Sequence, residues 1–370
     1  MSDEGEEQHD QSRKSERTSE RHDPPQSMSY KRAGVDIAAA DAFVETIGAF
    51  AKATHNAGVV KHTTAYAGLF RPDLNGIAKP LLSAATDGVG TKLLVAREMK
   101  SFEGLGQDLV AMNVNDLLPS GSRPLLFLDY IATGKLEPDE LLPIVRGIAN
   151  ACKEVGCVLL GGETAEMPGV YQSGDFDLAG FAVGLADEAR LPDATTVREG
   201  DVLFALPSSG MHANGFSLAR KALLEMGGLR LTDHVGALER SLGEELLEPT
   251  RLYVNPVLEV MKAFRIKGSA HITGGGLLGR LAKLVGDDLR VDVDPERYRV
   301  PPVFALVQKT GNVAWREMAS TFNMGLGYVV VVDKNEAERF RGSLMAKHGW
   351  LEVGNIARGT HGVDLGYAAS

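Results

Sequence analysis

Three carboxylates, Asp87, Asp116 and Glu163, stand at the ends of apolar segments beside small-residue turns, and that placement suits phosphate chemistry. Asp87 lies in LLSAATDGVGTK (81–92), where a strand-like run reaches a turn with Gly88 and Gly90 and a helix begins at Thr91 and Lys92. Backbone amides and a helix N-terminus suit an anion, a carboxylate suits its Mg2+, and Lys92 supplies a cation for catalysis. Asp116 lies in LGQDLVAMNVNDLL (105–118), a helical pattern in which it projects between Leu105 and Leu109 on the apolar stripe. A carboxylate on a core face must be paired or bound to metal, so metal ligation is expected, with a buried ion pair as the competing reading. Glu163 follows the strand-like start of CVLLGGETAEM (157–167). An all-oxygen set of this kind selects Mg2+ over zinc.

Two glycine-rich segments in the second half add further groups. SSGMHANG (208–215) follows the strand-like DVLFALP (201–207) and carries His212, a residue for proton transfer or substrate contact, and Asn214. HITGGG (271–276) offers Thr273, Gly274, Gly275 and Gly276 to a phosphate, the competing reading being a tight strand–helix junction. The run GGGLLG (274–279) also fits a dinucleotide fingerprint. It lies far down the chain, with only Asp292 and Asp294 near the acidic position that fold wants, so phosphate or substrate binding is the better reading. No P-loop signature occurs, because Gly134-Lys135 is followed by Leu136, and Ser208 and Ser209 lie outside a nucleophile elbow.

The elements that must position these groups alternate. Periodicity predicts a helix over 38–55, strand 81–86, helix 104–118, strand 124–131, helix 137–155, strand 157–160 and strand 177–186. The turn-rich 186–201, with Pro192 and Gly200, breaks the pattern. A second half restarts with strand 202–206, helices 216–226 and 249–263, strand 268–272, helix 277–285, strand 327–333, helix 334–347 and a strand near 351–357. Strands ending in glycine and acidic residues suit a site at the carboxyl ends of an α/β sheet. At 370 residues the chain exceeds one typical core. The expected division is a disordered tail over 1–27, dense in charge, Ser and Pro, an N-terminal α/β nucleotide- and metal-binding domain over 28–190, and a C-terminal α/β domain over 191–370.

Composition bounds the function. A 44% hydrophobic, 24% charged chain is an ordinary globular protein, and a formal charge of −10 argues against broad nucleic-acid binding. Cys152 and Cys157 are too few for a disulfide scaffold and read as buried free thiols. No apolar run approaches membrane-spanning length and no signal peptide is visible, so a cytoplasmic protein without membrane contact is expected.

The ordered set YKRAGVD (30–36), TDGVGTK, DLVAMNVNDL, FLDYIATGKL, GGETAEMPG, SSGMHANG, HITGGG and TFNMGLG resembles the phosphoribosylformylglycinamidine cyclo-ligase family, also called aminoimidazole ribonucleotide synthetase. The likeness covers nearly everything after the tail. It implies two α/β domains with the active site in the cleft between them, N-terminal sheets pairing in a homodimer, and use of ATP and Mg2+. The implied reaction is closure of formylglycinamidine ribonucleotide to 5-aminoimidazole ribonucleotide through phosphorylation of the formyl oxygen. Lys31 resembles the family's N-terminal lysine near the nucleotide, with a solvated surface charge as its competing reading. The chain departs from the family at Ala65-Tyr66-Ala67, where glycines are usual, and at Arg32, Ala213 and Ser320. Three rival readings remain at this stage. One is a superfamily relative that phosphorylates another substrate, such as a selenophosphate synthetase or thiamine-phosphate kinase, although the reactive Cys of the former is missing before Cys152. The others are a dinucleotide-dependent oxidoreductase and a non-catalytic nucleotide-binding protein.

Overall fold

A computed structural model describes residues 37–62, 67–343 and 345–366. The first half comprises α1 (Ile37–Lys52), β1 (Val59–Val60), β2 (Leu69–Phe70), β3 (Pro80–Gly88), α2 (Lys92–Met99), α3 (Glu103–Leu117), β4 (Arg123–Thr133), α4 (Pro138–Glu154), β5 (Val158–Glu166) and β6 (Phe176–Asp187). Four of these strands form one sheet in the order β3-β6-β4-β5. β6 runs antiparallel to both neighbours, while β4 and β5 are parallel, so β3, β4 and β5 deliver their carboxyl ends to the same end of the sheet. The expected site at strand carboxyl ends therefore stands on a mixed sheet.

Alternation along β4 shows how the sheet is covered. Phe127, Asp129 and Ile131 are buried, and α3 and α4 pack together over the helix-covered side of the sheet. On the opposite face Leu82 is 71% exposed, Phe181 43% and Leu128 37%. One face of this sheet is thus packed and the other carries open apolar side chains.

The second half contains β7 (Val202–Pro207), α5 (Phe216–Arg220) running into a π-helical turn (Lys221–Met226), α6 (Leu242–Leu247), α7 (Val254–Ala263), β8 (Ile266–His271), α8 (Gly276–Ala282), β9 (Leu289–Val293), α9 (Pro302–Gly311), α10 (Trp315–Thr321), β10 (Leu326–Val332), α11 (Ala337–Ser343), α12 (Met345–His348), β11 (Leu351–Arg358) and β12 (Gly362–Asp364). Its six-stranded sheet has the order β12-β9-β11-β7-β10-β8. Every residue of β10 is buried, as expected of an inner strand covered on both faces. Phe204 and Leu206 of β7 join Val330 and Val332 in a core that also contains α3, α4 and α7, whereas Leu203, Ala205, Val329 and Val331 join α8 and α9. The two halves accordingly share one continuous apolar core. Cys152 and Cys157 are free and buried, as their sequence context predicted.

Candidate functional site

β3 carries Asp87 to the end of its sheet, where α3 crosses. Asn113 of α3 donates its side-chain N–H to the Asp87 carbonyl at 3.2 Å, and the Gly88 amide donates to Asp87 Oδ1 at 2.8 Å. Burial pushes the Asp87 carboxyl above its ordinary range, the Gly88 amide opposes this, and the negative charge of Asp116 pushes further upward. His271 and Arg280 act against that rise. Two carboxylates, a histidine and an arginine from both halves of the chain therefore share one electrostatic neighbourhood, although Asp116 and His271 are 155 residues apart in sequence.

Asp116 is half-buried rather than sealed in the core as its stripe position predicted. The reason is that α3 is covered on nearly every side, by its own sheet and by the second half, so a single apolar stripe is the wrong description of it. Its Oδ1 lies 2.7 Å from His271 Nδ1, at the end of β8. His271 is fully buried and its Nε2 has no hydrogen-bond partner. Neither His271 nor Arg280 was singled out from the sequence, although both flank the glycines of HITGGGLLGR.

Glu163 lies apart from the other two carboxylates. Asp87 pairs with Gly180, Gly180 with Asp129 and Asp129 with Gly162, so Glu163 lies three strands from β3, roughly 14 Å at ordinary strand spacing. One chain cannot bring it onto an ion shared with Asp87. Among the described residues no group of three or more His, Cys, Asp or Glu side chains is placed to hold a metal ion. The two-carboxylate arrangement still fits Mg2+, which is commonly bound by one or two carboxylates together with phosphate oxygens.

The backbone around the carboxylates is open. Gly90 has φ +64° and Gly275 φ +91°, and both are exposed, as is Gly274. A side chain at Gly88 would meet the Leu178 carbonyl at 2.9 Å, and one at Gly276 would meet the Ala319 carbonyl at 2.5 Å. Those two glycines serve close packing, whereas Gly90, Gly274 and Gly275 leave amides accessible to a ligand. Arg280 folds back over this loop, donating to the Gly274 carbonyl at 3.0 Å and to the buried Thr273 hydroxyl. Thr91 meets Ser217 at 3.1 Å, and Asn214 approaches the Met112 sulfur at 3.6 Å.

The two residues expected to be catalytic, Lys92 and His212, are both buried. Lys92 is 0% exposed and ion-paired with Asp108, which is equally buried, at 2.7 Å. His212 is buried, and its Nε2 accepts from the Ser209 amide at 3.3 Å. Burial, reinforced by the charges of His271, Lys92 and Arg251, holds its imidazole well below the ordinary histidine range, so the ring is neutral. Lys31 and the departures at Arg32, Ala65 and Tyr66 lie outside the described residues.

Two family models match: AIR synthase related protein, N-terminal domain, over residues 73–186, and AIR synthase related protein, C-terminal domain, over 198–364. The chain is similar to the phosphoribosylformylglycinamidine cyclo-ligase of Myxococcus xanthus, at 48% identity over 332 residues that cover 89% of this chain and 96% of that one. That of Carboxydothermus hydrogenoformans is 46% identical over 313 residues, covering 85% and 91%. Among solved structures, thiamine-monophosphate kinase from Stenotrophomonas maltophilia aligns with a TM-score of 0.63 at 18% identity, covering 89% of this chain and 97% of that one. The hydrogenase maturation protein HypE in complex with ATP aligns at 0.59 and 17%, covering 87% and 88%. At those identities the structural likeness shows the fold alone.

Proposed function

We infer the reaction from the premise that the chain belongs to the phosphoribosylformylglycinamidine cyclo-ligase family. It closes formylglycinamidine ribonucleotide to 5-aminoimidazole ribonucleotide in purine biosynthesis, converting ATP to ADP and phosphate. The observation that supports this reading is the meeting of Asp87 and Asp116 with the open Gly90 and Gly274–Gly275 backbones between the two halves. In the reaction the formyl oxygen attacks the γ-phosphorus, giving ADP and a good leaving group on the formyl carbon. The ribose-bearing amidine nitrogen then attacks that carbon, phosphate departs with the former formyl oxygen, and loss of a proton completes the ring.

Protein work in such a step is positioning and charge neutralisation. Mg2+ held by Asp87 and Asp116, together with ATP oxygens, would neutralise charge on the transferring phosphoryl group. Arg280 contributes a fixed cation beside them, and the Gly90 and Gly275 turns contribute amides. Lys31 remains the reading for a nucleotide contact from the N-terminal segment.

The open face of the four-stranded sheet, with Leu82, Leu128 and Phe181, supports pairing with a second copy of the chain, since contiguous exposed apolar surface marks interfaces. The two free thiols suit a reducing cytoplasm. Among the described residues no helix is long and apolar enough to cross a membrane. ADP release tests the reading. It should require formylglycinamidine ribonucleotide, and release that instead requires thiamine monophosphate would favour a phosphotransferase of the same fold.

A further inference from the structure

Lys92 is enclosed in an arrangement that its expected catalytic role does not explain. Its Nζ lies 2.7 Å from Asp108 Oδ2, 2.8 Å from the Glu248 carbonyl and 3.1 Å from the His212 carbonyl. This carboxylate and two carbonyls surround an ammonium that is fully buried, so it does not reach a solvent-exposed ligand. The other Asp108 oxygen accepts from the Thr250 amide at 2.8 Å and the Thr250 hydroxyl at 2.6 Å. One buried cation thus joins α2 and α3 of the first half to two loops of the second.

The loop on the receiving end is unusual. His212 has φ +63°, a left-handed conformation that costs a residue with a Cβ free energy and persists only where the surroundings enforce it. Enforcement is visible on both sides of it. Asn323 donates to the Gly210 carbonyl at 3.0 Å, Ser209 Oγ donates to the Pro249 carbonyl at 2.6 Å, and Lys92 takes the carbonyl of His212 itself. Lys92 is five residues from Asp87 in sequence, and its neighbour Thr91 touches Ser217 just beyond the same loop. Stability alone does not call for this design, because a buried ion pair is commonly matched or surpassed by apolar side chains of similar volume.

We propose that Lys92 is a positioning residue: anchored on Asp108, it holds the His212 carbonyl and so locks the 208–215 loop, with Asn214, against the Asp87 turn. The proposal rests on the cyclo-ligase reading for its catalytic consequence, but the loop itself can be followed without any reaction.

The test compares wild type with Lys92→Met and with Lys92→Met/Asp108→Asn. Lys92→Met strands the Asp108 carboxylate and should lower the melting temperature sharply. In the double variant an amide oxygen at 108 still accepts from Thr250 and no charge is left unpaired, so the melting temperature should recover part of the loss, the Glu248 and His212 carbonyls left without Lys92 accounting for the remainder. The His212 carbonyl remains unheld. Amides of 208–215 should therefore exchange with solvent at least about tenfold faster than in wild type while α3 stays protected. The kcat for ring closure should be reduced roughly 100-fold, with little change in KM for ATP. A double variant that regains both loop protection and turnover, or that is no more stable than Lys92→Met, overturns the proposal. Hydrogen exchange is read on ligand-free protein, so inactive wild type would count against the cyclo-ligase reading and leave the loop result standing.

Discussion

Asp129 offers a direct test of how the first half is packed. Its carboxyl is buried on the helix-covered side of β4, between Gly180 of β6 and Gly162 of β5. Burial pushes it from an ordinary 3.8 up to about 7. Between those values the folded protein holds a proton that the unfolded chain has released. The stabilising contribution is therefore complete below about pH 4, is lost as pH rises through 7, and is absent above it. Two units of that shift lie between pH 5 and pH 7. At about 1.4 kcal/mol per unit, the stability of Asp129→Asn relative to wild type should improve by about 3 kcal/mol when the pH is raised from 5 to 8.5. Urea unfolding followed by the fluorescence of buried Trp350 measures the difference at each pH. Curves whose separation does not change with pH would refute the assignment of a protonated, desolvated carboxyl.

Other outcomes follow from the site. Gly275→Val meets open space, with Gly279 Cα 3.9 Å away, but must adopt φ +91°, so it should raise KM for ATP or the ribonucleotide roughly tenfold with a modest loss of melting temperature; unchanged binding with reduced stability would assign Gly275 to the junction alone. Phe181→Asp places a charge on the open sheet face and should shift the sedimentation of a dimer to that of a monomer, and identical sedimentation would move the interface elsewhere. Asp116→Asn can still accept from His271, so the ligand-free protein should melt within roughly 5 °C of wild type while the stabilisation by Mg-ATP disappears. A destabilised variant that still gains fully from Mg-ATP would make Asp116 the partner of His271 and no more.

Much of the architecture is visible in apolar periodicity, and the discrepancies have physical causes. The strand predicted over 157–160 continues to Glu166 because its glycines are not a turn. A side chain at Gly162 would lie 2.2 Å from Asp129 Oδ1, so Gly162 makes room for the buried acid within the sheet. Gly88 likewise stays in β3 beneath the Leu178 carbonyl. Helix α6 was absent from the periodicity reading, yet Ser241 and Glu244 form a capping box that the spacing S-x-x-E announces. The predicted helix over 249–263 begins only at Val254, because residues 250–253 are drawn out to bond Gln107, Asp108 and Asn115 of α3. Lys92 illustrates the limit for the site. A lysine at a helix start next to a glycine turn reads as a ligand for phosphate, and only tertiary structure reveals that Asp108 and two distant carbonyls consume it. His271 and Arg280 escaped for the opposite reason, since attention to the glycines passed over the side chains that frame them.

The fate of the formyl oxygen tests the central claim most directly. Formylglycinamidine ribonucleotide labelled with 18O in its formyl group should, on incubation with the enzyme and Mg-ATP, yield one ADP per aminoimidazole ribonucleotide formed. The label should appear in inorganic phosphate, because that oxygen is phosphorylated before the ring closes. Imidazole formed with the label released into water, or ATP consumed without ring closure, would contradict the account.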